Sequence, residues 1–164
     1  TMFPERLRNL AMLILDDAER ARLKICTAES CTGGLLAALL TDIPGSSTVF
    51  ERGFVTYTNR AKEEMLGIAG DVIADYGAVS EPVARMMAEG ALEASRANIA
   101  VAITGVAGPG GGTRMKPVGT VHIACARENR AVVHEMLQLG DIGRSEVRMA
   151  SVETALNLIQ VQMR

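Results

Sequence analysis

Leu23-Lys-Ile-Cys26, Thr27-Ala-Glu-Ser-Cys-Thr-Gly-Gly34 and Leu35-Leu-Ala-Ala-Leu-Leu40 follow one another without interruption, and their reading decides the fold. The first block is a short apolar strand. The last is the apolar face of a helix. Between them, paired glycines let the backbone turn sharply and leave N–H groups free at a helix start. A strand entering a helix through a tight turn is the unit of α/β architecture. The middle block also gathers the hydroxyls of Thr27, Ser30 and Thr32, a carboxylate and a thiol. It reads as a site, or more plainly as a cap in which Ser30 or Thr32 holds the helix N-terminus.

Outward from this unit the same alternation continues. Residues 5–22 read as a helix with Leu7, Leu10, Ala11, Ile14, Ala18 and Ala21 on one face. Asp42-Ile-Pro-Gly45 breaks the helix that follows the first turn. Arg52–Thr58 reads as a strand, and Asn59 as the cap of a short helix ending before Gly67. Ser80-Glu-Pro82 starts a helix running to about Ala97, with Val83, Met86, Met87, Gly90, Ala91 and Ala94 facing in. Ile99–Ile103 is apolar without alternation, as in a strand buried on both faces. Val118–Ala126 and Ala131–Leu137 make two strands joined as a hairpin through Glu128-Asn-Arg130. A last helix spans Arg144–Val161, with Val147, Ala150, Thr154 and Leu158 inward. The expected fold is a three-layer α/β/α sandwich with a mixed, mainly parallel sheet.

With 164 residues the chain reads as one domain, 1–164, large enough for a real core. Aromatic content is 3% and there is no Trp, so that core rests on Ala, Val, Ile, Leu and Met. A net charge of −2 with interspersed signs lacks the basic footprint of a nucleic-acid binder. No apolar run reaches the roughly 18 residues of a membrane span. Asp16, Asp17 and Glu19 directly follow the first apolar stretch, which does not fit a signal peptide. Cys26, Cys31 and Cys125 are odd in number and lack metal spacing, which argues against a disulfide framework or zinc site. A cytoplasmic protein with free thiols is the expectation, and a homodimer is the expected assembly.

Three stretches carry candidate chemistry. Gly45-Ser-Ser47 sets Ser47 in a glycine turn, where a nucleophile is exposed. Lys62, in the first turn of a helix, is a base for serine if the helix dipole, burial or nearby Arg52 lowers its pKa. Tyr57 ends the preceding strand, within reach of a relay. Read without function, Lys62 is a solvated helix lysine and Tyr57 a strand aromatic. Thr104-Gly-Val-Ala-Gly-Pro-Gly-Gly-Gly112 leaves the buried strand at the sheet end where α/β proteins bind ligands. It is either an anion-binding loop or a flexible connector, and matches neither the Walker nor the dinucleotide pattern. Arg144 opens the last helix as a phosphate seat or a surface arginine. Cys31 reads as a supporting residue under the loop, and His122 and His134 as strand residues.

Taken together, these motifs resemble the carboxy-terminal domain of the CinA (competence/damage-inducible) family. The match runs through Thr27–Gly34, Gly45-Ser-Ser47, Arg52-Gly-Phe-Val-Thr-Tyr57, Asn59 and Lys62. It continues through Gly77-Ala-Val-Ser-Glu-Pro82, Ile103-Thr-Gly-Val-Ala-Gly-Pro109 and Lys116-Pro-Val-Gly-Thr120. It covers nearly the entire chain, as a stand-alone form without the amino-terminal domain of longer members. The resemblance implies a nicotinamide-nucleotide amidase that converts nicotinamide mononucleotide and water to nicotinate mononucleotide and ammonia. It implies no cofactor and no metal. Ser30, Ser47, Tyr57 and Lys62 would be catalytic, with Ser47 favoured as nucleophile and Ser30 bridging it to Lys62. Glu29, Thr32, Gly33, Gly45, Ser46, Thr104, Gly105, Gly108 and Arg144 would bind substrate. Glu29 either orients Lys62 or caps a neighbouring backbone. Two rivals remain: a non-catalytic nucleotide-binding module, and a cysteine amidase working through Cys31.

Overall fold

The computed structural model describes residues 2–164. Five strands form one sheet in the order β2-β1-β3-β4-β5. They are β1 (Ile25–Glu29), β2 (Phe50–Val55), β3 (Ile99–Gly105), β4 (Thr120–Arg127) and β5 (Val133–Gln138). β1 pairs in parallel with both β2 and β3, while β4 runs antiparallel to β3 and to β5. Four strands therefore share a direction and β4 alone opposes them. The helices are α1 (Glu5–Arg20), α2 (Leu35–Thr41), α3 (Asn59–Leu66), α4 (Gly70–Tyr76), α5 (Glu81–Glu93) and α6 (Arg144–Met163). None of the described helices is long and apolar enough to cross a membrane.

Strand alternation explains the layers. Ile99, Val101, Ile103, Val121, Ile123 and Cys125 point to one face, into a core with α1, α2 and α6. Ala100, Ala102, Ala124 and Ala126 point to the other, beneath α5. One face is thus built of bulky side chains and the other of methyl groups. The run Ile99–Ile103 is apolar throughout because β3 is central and both of its faces are covered.

The sequence expectations fare unevenly at element ends. Ser80 caps α5, its hydroxyl accepting from the Val83 amide, with Pro82 in the first turn. α5 stops at Glu93, short of Ala97, and Ala94 is exposed, as is Ala21 beyond the end of α1. β1 starts later than the apolar block suggests and carries Thr27, Ala28 and Glu29 of the motif inside the strand. β2 occupies Phe50–Val55 rather than Arg52–Thr58. The cap of α3 is Thr58, whose hydroxyl accepts from the Ala61 amide at 3.0 Å; Asn59 is the first helical residue. α4, rich in Asp and Gly, was not foreseen because seven residues are too few to display a periodicity.

Candidate functional site

The order β2-β1-β3 places a topological switch between β1 and β3, where successive connections leave in opposite directions. Such a switch opens a crevice at the carboxyl ends of the strands. Here it is an open cleft of about 310 Å³. Its lining draws on the residues just after β1 (Ser30, Cys31), the segment after β2 (Tyr57), α3 (Asn59, Lys62), the approach to α5 (Ala78, Val79), the end of β3 with the loop that follows it (residues 104–108, Gly110 and Gly111) and Arg144.

At its head, Lys62 Nζ lies 2.9 Å from Ser30 Oγ, 3.0 Å from the Thr56 carbonyl and 3.4 Å from the Tyr57 carbonyl. Lys62 is only 1% exposed. Burial holds its pKa below the ordinary lysine range, with Cys31 acting weakly against that. Of the causes invoked from sequence, burial is the one that acts on Lys62, and Arg52 does not. The Arg52 guanidinium instead pairs with Glu51 and bonds the Ala94 carbonyl. A neutral amine has two N–H bonds and one lone pair. As an ammonium, Lys62 donates to all three oxygens while Ser30 Oγ donates to the Tyr57 carbonyl at 3.5 Å; once neutral, its two N–H bonds can stay on the two carbonyls, which leaves its lone pair for the Ser30 hydroxyl.

Ser47 does not join this group. With Gly45 and Ser46 it forms the 3₁₀ turn before β2, at the amino end of the strand whose carboxyl end leads to Tyr57 and Lys62. Six strand residues at about 3.3 Å each separate the two ends by roughly 20 Å. Gly45, Ser46 and Ser47 line no part of the cleft. A sequence reading sees Gly-Ser-Ser and Lys only 15 positions apart. It does not see that the strand between them is fully extended.

Glu29 is also reassigned. Its side chain is 1% exposed and turned to the opposite face of the sheet, where Oε1 accepts from the Leu36 amide at 2.8 Å and Oε2 from the Ala37 amide at 3.0 Å. The N-cap residue of α2, Gly34, has no side chain to offer. Glu29 therefore caps α2 from the adjoining strand, the second of the two alternatives read from the sequence. Thr32 and Gly33 belong to the same turn, outside the cleft lining. The Thr32 side chain is fully buried and its carbonyl accepts from Arg148 Nη2 at 3.1 Å. Arg148 was missed, although its spacing of four from Arg144 puts both on one side of α6.

The remaining candidates do converge. Thr104 is 1% exposed and donates its hydroxyl to the Ala78 carbonyl at 2.9 Å. Gly105 must lack a side chain, because a Cβ there would stand 2.8 Å from Val121 Cγ2. Gly108 has φ +83, which glycine adopts freely. The amides of Ala107, Gly108, Gly110 and Gly111 donate no hydrogen bond among the described residues, and these four residues line the cleft. Arg144 spans the mouth, donating from Nη1 to the Gly108 carbonyl at 2.7 Å and from Nη2 to Tyr57 Oη at 3.1 Å. The Tyr57 phenol is thus at the rim, while its backbone carbonyl serves Lys62. Burial pushes the Cys31 thiol up to about 11, the opposite of an activated nucleophile.

Residues 7–163 match the model of the CinA C-terminal domain. A CinA-like protein of Anaeromyxobacter sp. (strain Fw109-5) is 45% identical over 163 residues, covering 99% of this chain and 39% of the relative. A CinA-like protein of Akkermansia muciniphila is 61% identical over 115 residues, 70% of this chain and 28% of the relative. The chain thus spans well under half the length of these relatives. Among solved structures, the competence/damage inducible protein CihA from Agrobacterium tumefaciens superposes with a TM-score of 0.98 at 51% identity, covering 100% of this chain and 99% of that one. A competence-damaged protein (CinA) superfamily protein from Escherichia coli superposes with a TM-score of 0.89 at 32% identity, covering 98% and 93%.

Proposed function

The chain belongs to the CinA C-terminal domain family, and from that premise and the buried Ser30–Lys62 contact we propose that it is a serine–lysine amidohydrolase acting on nicotinamide mononucleotide. The products are nicotinate mononucleotide and ammonia, which returns the pyridine ring to nucleotide recycling. The observation that carries this reading is a lysine kept out of water with its amine 2.9 Å from a serine hydroxyl. A depressed lysine pKa is what a general base for serine requires.

Ser30 attacks the carboxamide carbon while Lys62 takes its proton. The tetrahedral oxyanion needs donors, and backbone amides free of other bonds meet that need in a low-dielectric cleft. Protonated Lys62 then returns its proton to the nitrogen that leaves as ammonia. A water molecule, deprotonated by Lys62, hydrolyses the resulting ester and frees Ser30. The scheme asks nothing of a metal ion. The Gly110 and Gly111 amides with Arg144 suit the nucleotide phosphate, which leaves the Ala107 and Gly108 amides for the oxyanion, since backbone N–H groups and a guanidinium are natural partners of a phosphate.

The test is ammonia release from nicotinamide mononucleotide, with and without chelator. Wild type should release ammonia in both conditions. Ser30→Ala should lose at least about 10³-fold in kcat while still binding the nucleotide. Ser47→Ala should stay within about twofold of wild type, because Ser47 is exposed at the far end of the sheet. Nucleotide binding without any ammonia from wild type would instead indicate a binding module.

A further inference from the structure

The cleft holds a second hydroxyl whose hydrogen-bonding state is fixed by the fold. Parallel β1 and β3 are in register with Glu29 opposite Ile103, and the Ser30 amide bonds the Ile103 carbonyl at 3.0 Å. Ser30 and Thr104 are therefore neighbours on the next rung, with strands about 4.8 Å apart. Ala28 and Ala102, two positions earlier in each strand, both lie in the cluster under α5. By the period of two, Ser30 and Thr104 project from that same face.

A threonine hydroxyl has one proton and two acceptor lone pairs. The Thr104 proton is committed to the Ala78 carbonyl at 2.9 Å. That carbonyl is itself held in the entry to α5, where Ser80 Oγ donates to the Gly77 carbonyl at 2.8 Å and caps the helix. Thr104 is almost fully buried, so no bulk water competes for its proton. What Oγ1 can offer a ligand seated over Ser30 is acceptance alone.

An acceptor one strand away from the nucleophile distinguishes the two ends of an amidase reaction. A carboxamide carries two N–H donors, whereas the carboxylate product carries none and would set an anionic oxygen against the lone pairs. We propose that Thr104 Oγ1 accepts a hydrogen bond from the scissile amide nitrogen, and so selects the carboxamide and rejects the acid product. The nitrogen stays a donor from bound amide to departing ammonia, so one acceptor serves throughout. This inference rests on the amidase reading above and assigns Thr104 a specificity role within it.

Its test is the ratio of two affinities, measured by calorimetry in a Ser30→Ala background so that the amide is not consumed. The ligands are nicotinamide mononucleotide and nicotinate mononucleotide. Thr104→Val keeps the shape and removes the hydroxyl. It should weaken the amide about 10- to 100-fold while leaving the acid unchanged or tighter, and Thr104→Ser should restore the ratio. If Thr104→Val does not fold, Thr104→Ala reads the same ratio. Equal change for both ligands would overturn the proposal and leave Thr104 as a tie to Ala78. So would a Thr104-intact protein that does not favour the amide. Ammonia release by the Ser30 enzyme separates the two failures: release without a Thr104-dependent ratio sinks only this inference, whereas no release sinks the amidase reading and this inference with it.

Discussion

Lys62 shows what one buried side chain does to the chemistry around it. Its pKa is held below the ordinary value of 10.5 because burial penalises the charged form. If it is the base, kcat/KM should rise with pH through that lowered pKa and level off before 10.5, with the acidic limb reporting the free enzyme. The same shift has a stability consequence. Between the folded pKa and 10.5 the unfolded chain binds more protons, so stability should rise with pH across that window. Lys62→Met should abolish turnover and remove that rise. At pH 7 it should unfold no earlier than wild type in a thermal scan, since it ends the penalty on a buried charge. A variant that was inactive because it was misfolded would instead melt early.

Among the elements, α5 and the alanine strands form one device. Methyl groups on Ala100, Ala102, Ala124 and Ala126 leave room for the helix to lie close to the sheet. On the helix's other side, Gly90 meets the last turn of α3, where an added Cβ would stand 2.1 Å from the Leu66 carbonyl oxygen. Propensity alone favours Gly→Ala in a helix by roughly 1 kcal/mol. The contact reverses the sign: Gly90→Ala should cost about 2–3 kcal/mol by urea titration, because backbone on α3 must move. It should also lower turnover, since α3 carries Lys62. Glu29 is a comparable case on the opposite face. Glu29→Ala removes the acceptor for two α2 amides and should cost about 1–3 kcal/mol in the same assay. The periodicity of α5 was legible in the sequence, and so was its cap at Ser80. The closeness of its contacts was not, because a glycine in a helix reads only as a weak helix former.

For the whole molecule, the imidazoles of His122 and His134 tie the hairpin of β4 and β5 to the start of α5. His122 Nδ1 and His134 Nε2 are 2.9 Å apart, and His134 Nδ1 lies 3.7 Å from Glu81. Both pKa values are held below 6.5, chiefly by burial. The unfolded chain therefore takes up more protons as pH falls from 6.5, and stability should drop with acidification. The urea midpoint should fall between pH 7.5 and pH 5, and should fall less in His134→Gln. An equal fall in both would show that His134 plays no part in it.

At this scale the division between sequence and tertiary structure is plain. Local order needs only neighbours in the chain, so the sequence by itself determined the α/β class, the buried central strand, the Ser80 cap, the hairpin and the glycine loops. It also presented Ser30, Ser47, Tyr57, Lys62, Thr104 and Arg144 as the residues to watch. Only the tertiary structure decided which of them meet. Strand direction and sheet order carried Ser30, Lys62 and Thr104 to the carboxyl edge of β1 and β3, and left Ser47 at the far end of an extended β2. The pleat turned Glu29 away from the cleft although it is adjacent to Ser30 in the chain. Sequence proximity does not encode which end or which face of a sheet a residue occupies. Those are set when the helices bury the bulky and methyl faces, and with them the low-dielectric pocket that lowers the pKa of Lys62.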